Sequence, residues 1–268
     1  MSSTSSRADW ETAVRARREP VTFPLSKFLP RSLTSRDLRP ELMDQPGLAV
    51  DRHRQALAGL ARTNVLSGSS RSLWKRIRRR LTAHGAVSKL SLCDIASGAG
   101  DVAVGLGRLA GRDGVKLRVT GFDISPVAVE TAQSRAKAEG VAARFMVRDV
   151  LACPLETLGR FDVVTCSLFL HHLTSDQAVE LLRRMATMAR RLVLVSDLKR
   201  GRLGYTVAQV VVRLVSRSKV VHYDGPQSVA ASFTIDEARS LAQRAGLVGA
   251  EIERTWPFRY LIASEQAG

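Results

Sequence analysis

Cysteine, aromatic residues and long apolar runs are all scarce in this chain, and each shortage removes a class of answer. The three cysteines, Cys93, Cys153 and Cys166, show neither CxxC nor mixed Cys/His spacing. That excludes a metal site of the zinc-cluster kind and a disulfide framework, and leaves free, mostly buried thiols in a reducing cytoplasm as the expectation. Aromatics make up 5% of the residues, and no stacking platform for single-stranded nucleic acid is visible. No apolar run is long enough to span a bilayer, and the opening residues lack the apolar centre of a secretory signal.

Acidic residues are also short. Against 41 Lys and Arg stand 25 Asp and Glu, a net charge of +16, most of it in the first third of the chain. An anionic partner (nucleic acid, membrane surface or charged substrate) is one reading. Arg supplies 34 of the 41 basic residues, so a compositional bias without any partner is the other.

The hydrophobic content of 45% over 268 residues can bury a sizeable core. Residues 1–40, rich in Ser, Arg and Pro, read as an irregular basic arm. Residues 41–88 read as a helical lid segment, with one helix up to about Leu66 and a second over 71–84. In the second, Leu73, Trp74, Ile77 and Leu81 form an apolar stripe opposite five basic residues, suited to a lid with a solvated basic face or to an anionic surface. From Lys89 onward strands near 90–95, 116–122, 143–148, 161–166 and 191–196 alternate with helices near 101–110, 126–139 and 175–188, which predicts a doubly wound parallel sheet. An apolar segment over 203–219, within an insertion at about 200–230, predicts an inserted helix over the strand ends, with an amphipathic helix in peripheral contact with a membrane as the alternative. Helix 234–245 follows, opened by a Thr234/Glu237 capping-box pattern. Two last strands, 247–254 and 257–263, are joined by so short a link that they must be antiparallel.

The chemistry-bearing stretch is Asp94-Ile-Ala-Ser-Gly-Ala-Gly100. An apolar strand breaks into a small-residue turn and opens onto a helix, presenting bare backbone and helix N–H groups to a ligand. Asp123 ends the next strand, placed to accept hydrogen bonds from ribose hydroxyls. An adenosine-containing ligand is the reading.

With these pieces in order, residues 89–263 resemble the class I S-adenosylmethionine-dependent methyltransferases, a Rossmann-like fold with a seven-stranded sheet closed by an antiparallel pair. The resemblance implies S-adenosyl-L-methionine as cofactor. It places Asp94, Ala96, Ser97, Gly98 and Gly100 around the methionine end, Asp123 and Ile124 at the ribose, Asp149 and Val150 at the adenine, and Ser167 at the strand-four exit. Ala96 stands where the family often has glycine. The whole chain is similar to bacterial small-molecule enzymes of the ubiquinone/menaquinone type and to those beside type III polyketide synthases. That implies O- or C-methylation of a phenolic or lipophilic acceptor in secondary metabolism, with the N-terminal helices and the inserted helix as lid.

A phenolic acceptor calls for a proton acceptor, and His172, His222 and His171 are the candidates, with His172 first and His222 next. Because adjacent residues of a strand exit face differently, only one of His171 and His172 is expected to look into the site. Tyr205, Tyr223 and Asp224 could join His222. A cysteine nucleophile is disfavoured, since Cys166 reads Thr-Cys-Ser and Cys153-Pro154 lies one element early. The rival readings are an RNA methyltransferase using the basic N-terminal region, a non-catalytic cofactor-binding or membrane-associated scaffold, and a dehydrogenase.

Overall fold

The computed structural model of the chain describes residues 33–44, 49–82 and 87–266, so most of the expected basic arm lies outside the described residues. Seven strands form one sheet: β1 (Lys89–Ile95), β2 (Lys116–Asp123), β3 (Ala143–Val147), β4 (Phe161–Ser167), β5 (Ala189–Leu198), β6 (Glu251–Thr255) and β7 (Arg259–Glu265). Their order is β3-β2-β1-β4-β5-β7-β6. The first five run parallel, and β7 enters antiparallel between β5 and β6. β4 and β5 are buried along most of their length because helices cover both faces, so they read as apolar runs without alternation.

Eight helices are described: α1 (Val50–Leu66), α2 (Ser69–Thr82), α3 (Asp101–Arg112), α4 (Pro126–Ala138), α5 (Ser175–Met188), α6 (Arg202–Val215), α7 (Lys219–Ala231) and α8 (Ile235–Arg244). Their starts are written locally. Ser125 caps α4 with Pro126 at the first helical position, and Thr174/Gln177 and Thr234/Glu237 form reciprocal capping boxes on α5 and α8. Two apolar clusters flank the sheet, one built with α5 and α8, the other with α2 and α3.

Three expectations need correction. The insertion holds two helices, α6 and α7, and the His222–Pro226 stretch is the middle of α7. Strand β6 begins at Glu251, four residues late, because Gly246 and Gly249 adopt positive φ and carry the chain through turns first. And α2 is not a lid. Leu73, Trp74 and Ile77 sit in the core against α3 and the sheet. Trp74 donates to Asp113 at 2.7 Å, Arg76 pairs with Glu253, and Arg80 pairs with Glu251 and Glu265. The stripe and much of its basic face are thus used internally.

The register aligns the ends of the central strands. Ile95 lies opposite both Phe122 and Cys166, which brings the exits of β1, β2 and β4 to one rim. That rim is where ligands bind in open α/β sheets.

Candidate active site

A cavity of about 660 Å³ opens over this rim, within the range typical of small-molecule sites. One wall is the turn after β1. Ala96, Gly98 and Gly100 all have positive φ (52°, 53° and 71°). A Cβ at Gly98 would meet nothing within 4 Å, so its backbone faces open space. One at Gly100 would lie 2.8 Å from Ala132 Cβ and 3.0 Å from the Phe145 ring. Ala96 holds the left-handed conformation with a side chain, at a cost of ~1–2 kcal/mol, so the departure from glycine is met by a strained residue.

Asp123 holds the turn: Oδ2 accepts from Gly98 N–H at 2.8 Å and Oδ1 from Ser125 N–H at 2.9 Å. Asp94 is buried, and its Oδ1 accepts from Thr165 Oγ1–H at 2.6 Å. Burial, against the pull of that hydroxyl and with help from Asp101 and Asp123, pushes the Asp94 carboxyl up to about 7. Asp149 Oδ1 accepts from the N–H groups of Leu151 and Ala152, turning the chain after β3. Val150 is buried beside it, while Ile124 is 68% exposed at the cavity wall with no packing role to explain it. Ser97 Oγ and Ser167 Oγ are buried without a hydrogen-bond partner among the described residues, and both residues line the cavity. Two orphaned hydroxyls and a bare-backbone turn fit a polar, nucleoside-bearing ligand at this end.

The other end is built from the exit of β4. Leu168 at φ 55° turns the chain, and Leu170–His172 form a short 3-10 helix. That turn, unlike an extended exit, lets both imidazoles face the cavity, their centroids 4.3 Å apart. The expectation that only one could look in is therefore wrong. His171 Nδ1 lies 2.6 Å from Asp197 Oδ1, and its Nε2 lies 3.4 Å from Glu41 Oε1. Burial would favour the neutral ring, but the two carboxylates outweigh it and push His171 up to about 10. The same contacts hold Glu41 and Asp197 below the usual carboxylate range despite their own burial. His172 Nε2 lies 3.8 Å from Glu41 Oε1.

Glu41, missed from sequence, arrives on an N-terminal strap. Asp224 accepts from Leu42 N–H at 2.7 Å and Met43 N–H at 3.1 Å, and Ser228 Oγ–H donates to Glu41. Arg36 donates to the carbonyls of His171, Leu173 and Ala231 and stacks on Phe233. Asp224 thus faces the cavity as a strap anchor. His222 does not line it; its Nε2 lies 2.6 Å from Ser216 O and ties α7 to the preceding loop. Tyr205 and Tyr223 are likewise outside the lining. A second network, also missed, links α1 to the turn: Asn64 donates to Asp101 at 2.9 Å and accepts from buried Arg259 at 3.1 Å. Of the two N-terminal helices, α1 lines the cavity and α2 does not.

Glu41, His171 and His172 place three ligating atoms within 4.8 Å of one another, a number and type that could hold a metal ion. His171, however, keeps a proton at neutral pH between its two carboxylates, and an ion would have to displace it.

The sheet order with its antiparallel closing pair is that of the α/β methyltransferase fold. Residues 92–191 match the family profile described as "Methyltransferase domain". That stretch, from β1 to the start of β5, carries the turn after β1, Asp123, Asp149 and both histidines of the cavity. No curated protein matches the chain in sequence. Among solved structures, magnesium protoporphyrin IX methyltransferase from Synechocystis PCC 6803 with bound SAH is similar over 80% of this chain and 86% of its own, at 20% identity and TM-score 0.52. A putative O-methyltransferase from Nostoc punctiforme PCC 73102 gives 17% identity and TM-score 0.52, over 75% of this chain and 56% of its own. Human N-acetylserotonin methyltransferase in complex with SAM gives 22% and 0.50, over 73% of this chain and 53% of its own. This chain spans little more than half of the latter two.

Proposed function

We propose that the protein methylates an oxygen or carbon of a phenolic, lipophilic small molecule, with the cofactor at the Gly-rich end of the cavity and the acceptor at the histidine end. The observation that carries this reading is a single cavity holding both ends, otherwise lined largely by apolar side chains of α1, α6 and α7.

When bound, S-adenosylmethionine supplies a methyl group already activated on a sulfonium. Asp123 holds the loop beneath the ribose and Asp94 offers a carboxylate to a cationic group. Leu57, Val207 and Val211 surround the acceptor and exclude water, which favours alignment of the reactants. His171, already protonated and held on both sides, is a fixed cation and not the base. His172, with Glu41 beside it, is the proton acceptor for a phenol. The strap that carries Glu41 is thereby part of the acceptor site. The RNA reading loses ground because Arg76 and Arg80 of α2 are engaged with acids of the sheet.

The test is incubation with S-adenosylmethionine and a panel of phenols, read as a one-methyl mass gain. His172→Ala should slow transfer at least tenfold while cofactor affinity stays put. Unchanged turnover in that variant would remove His172 as the base, and methylation of RNA but of no phenol would reject the acceptor class.

A further inference from the structure

The mouth of the cavity is ringed by apolar side chains that no described element covers. On α6 the outward stripe Leu203, Val210 and Leu214 is open, Leu214 at 80% exposure. Beside it lie Val65 and Leu66 at the end of α1, both 69% exposed, and Trp256 at the β6–β7 turn, 79% exposed. These are one neighbourhood. Arg62 of α1 donates to Val215 O at the end of α6, and Leu66, Val207 and Trp256 line the same cavity. Scattered exposed apolar residues are ordinary, but a contiguous set around a cavity entrance is not.

Charge singles out the partner. Residues 202–219 carry Arg202, Arg213, Arg217 and Lys219, all exposed, and no acidic residue. An apolar stripe with Trp nearby and basic residues at its borders is the pattern of a helix lying in the interface of an anionic bilayer. No helix among the described residues is long and apolar enough to cross a membrane, so the contact would be peripheral.

We infer that α6, the end of α1 and Trp256 form a docking face for an anionic membrane surface, setting the cavity mouth against the bilayer so that a lipophilic acceptor enters from it. The inference rests on the cavity's being the acceptor's seat, but vesicle binding is measured without acceptor or methyl transfer, so the two readings fail separately.

The experiment is co-sedimentation of the full chain with phosphatidylcholine vesicles, with and without phosphatidylglycerol. Wild type should bind the anionic vesicles, and brominated lipid should quench the Trp256 signal, taken as the difference from Trp256→Phe. A chain of charge +16 will adhere to anionic lipid by charge alone, so the decisive variant is the charge-neutral Val210→Gln/Leu214→Gln, whose positions lie outside the cavity lining. It should bind at least tenfold more weakly, with S-adenosylmethionine affinity unchanged. Arg213→Gln/Arg217→Gln should lose about fivefold per residue. Wild-type affinity in the Val210→Gln/Leu214→Gln variant, or no quenching of Trp256, would overturn the inference. So would a lipid-free dimer abolished by the Val210→Gln/Leu214→Gln variant, or vesicle binding seen only after residues 1–32 are removed, either of which would give the face to another occupant.

Discussion

Protonation of Asp94 should set the pH dependence of cofactor binding. Its carboxyl sits at about 7 in the structure, against an ordinary 3.8, chiefly through burial. Near pH 7 about half the molecules therefore hold it neutral. A cationic ligand group in the turn favours the carboxylate. If binding restored the ordinary value, some three pH units at 1.36 kcal/mol each would couple the two, an upper bound of about 4 kcal/mol. Affinity for S-adenosylmethionine should then weaken nearly tenfold per unit below about pH 7 and level off above about pH 8. Calorimetry at pH 7 in two buffers of different ionisation enthalpy should show release of about half a proton. Asp94→Asn should bind weakly and without this slope. The same group costs stability: the native state holds a proton that the unfolded chain has lost between about pH 4 and 7, so unfolding free energy falls as pH rises through that window. Affinity independent of pH from about 5.5 to 8.5 would refute the reasoning.

The buried pair of His171 and Asp197 should matter to stability more than to cofactor binding. Asp197→Asn leaves the buried ring with Glu41, 3.4 Å away, as its one remaining carboxylate and should cost about 3–5 kcal/mol in chemical denaturation. Because His171 is raised above its unfolded value, its contribution is complete below about pH 6.5 and lost as pH climbs through about 10; that decline should shrink in the variant, where Glu41 alone faces the ring. Asp224→Ala removes the acceptor of two strap N–H groups, each worth about 1–3 kcal/mol if left unpaired. Methyl transfer should fall while S-adenosylmethionine titration changes little, and equal losses in both would contradict the strap's assignment to the acceptor end. Ala96→Gly relieves left-handed strain but loosens the unfolded chain, so the expected gain is only about 0–1 kcal/mol, read as a small rise in Tm.

The turn after β1 and the acid that holds it were legible because their parts are local. Asp94 to Gly100 is one turn, and Asp123 follows at the end of the adjacent strand, where period and punctuation reveal it. The acceptor end was not. Glu41 meets His171 and His172 only because Asp224, from a distant helix, holds its strap. Asp197 carried a signal that went unused, an acid at the end of the buried apolar strand β5. That both His171 and His172 face the cavity was not legible either, because it depends on a 3-10 turn at a strand exit that local pattern leaves extended. The stripe of α2 was real, but a stripe does not say what it packs against, and the answer lay in acids of β6 and β7.

The most direct test of the two-ended cavity is calorimetric titration of wild type and Asp123→Ala with S-adenosylmethionine, its demethylated product and NAD. The geometry predicts micromolar binding of the first two by wild type, none of NAD, and loss of both in a variant whose fold, by circular dichroism, is intact. Undiminished binding in Asp123→Ala, or binding of NAD alone, would contradict it.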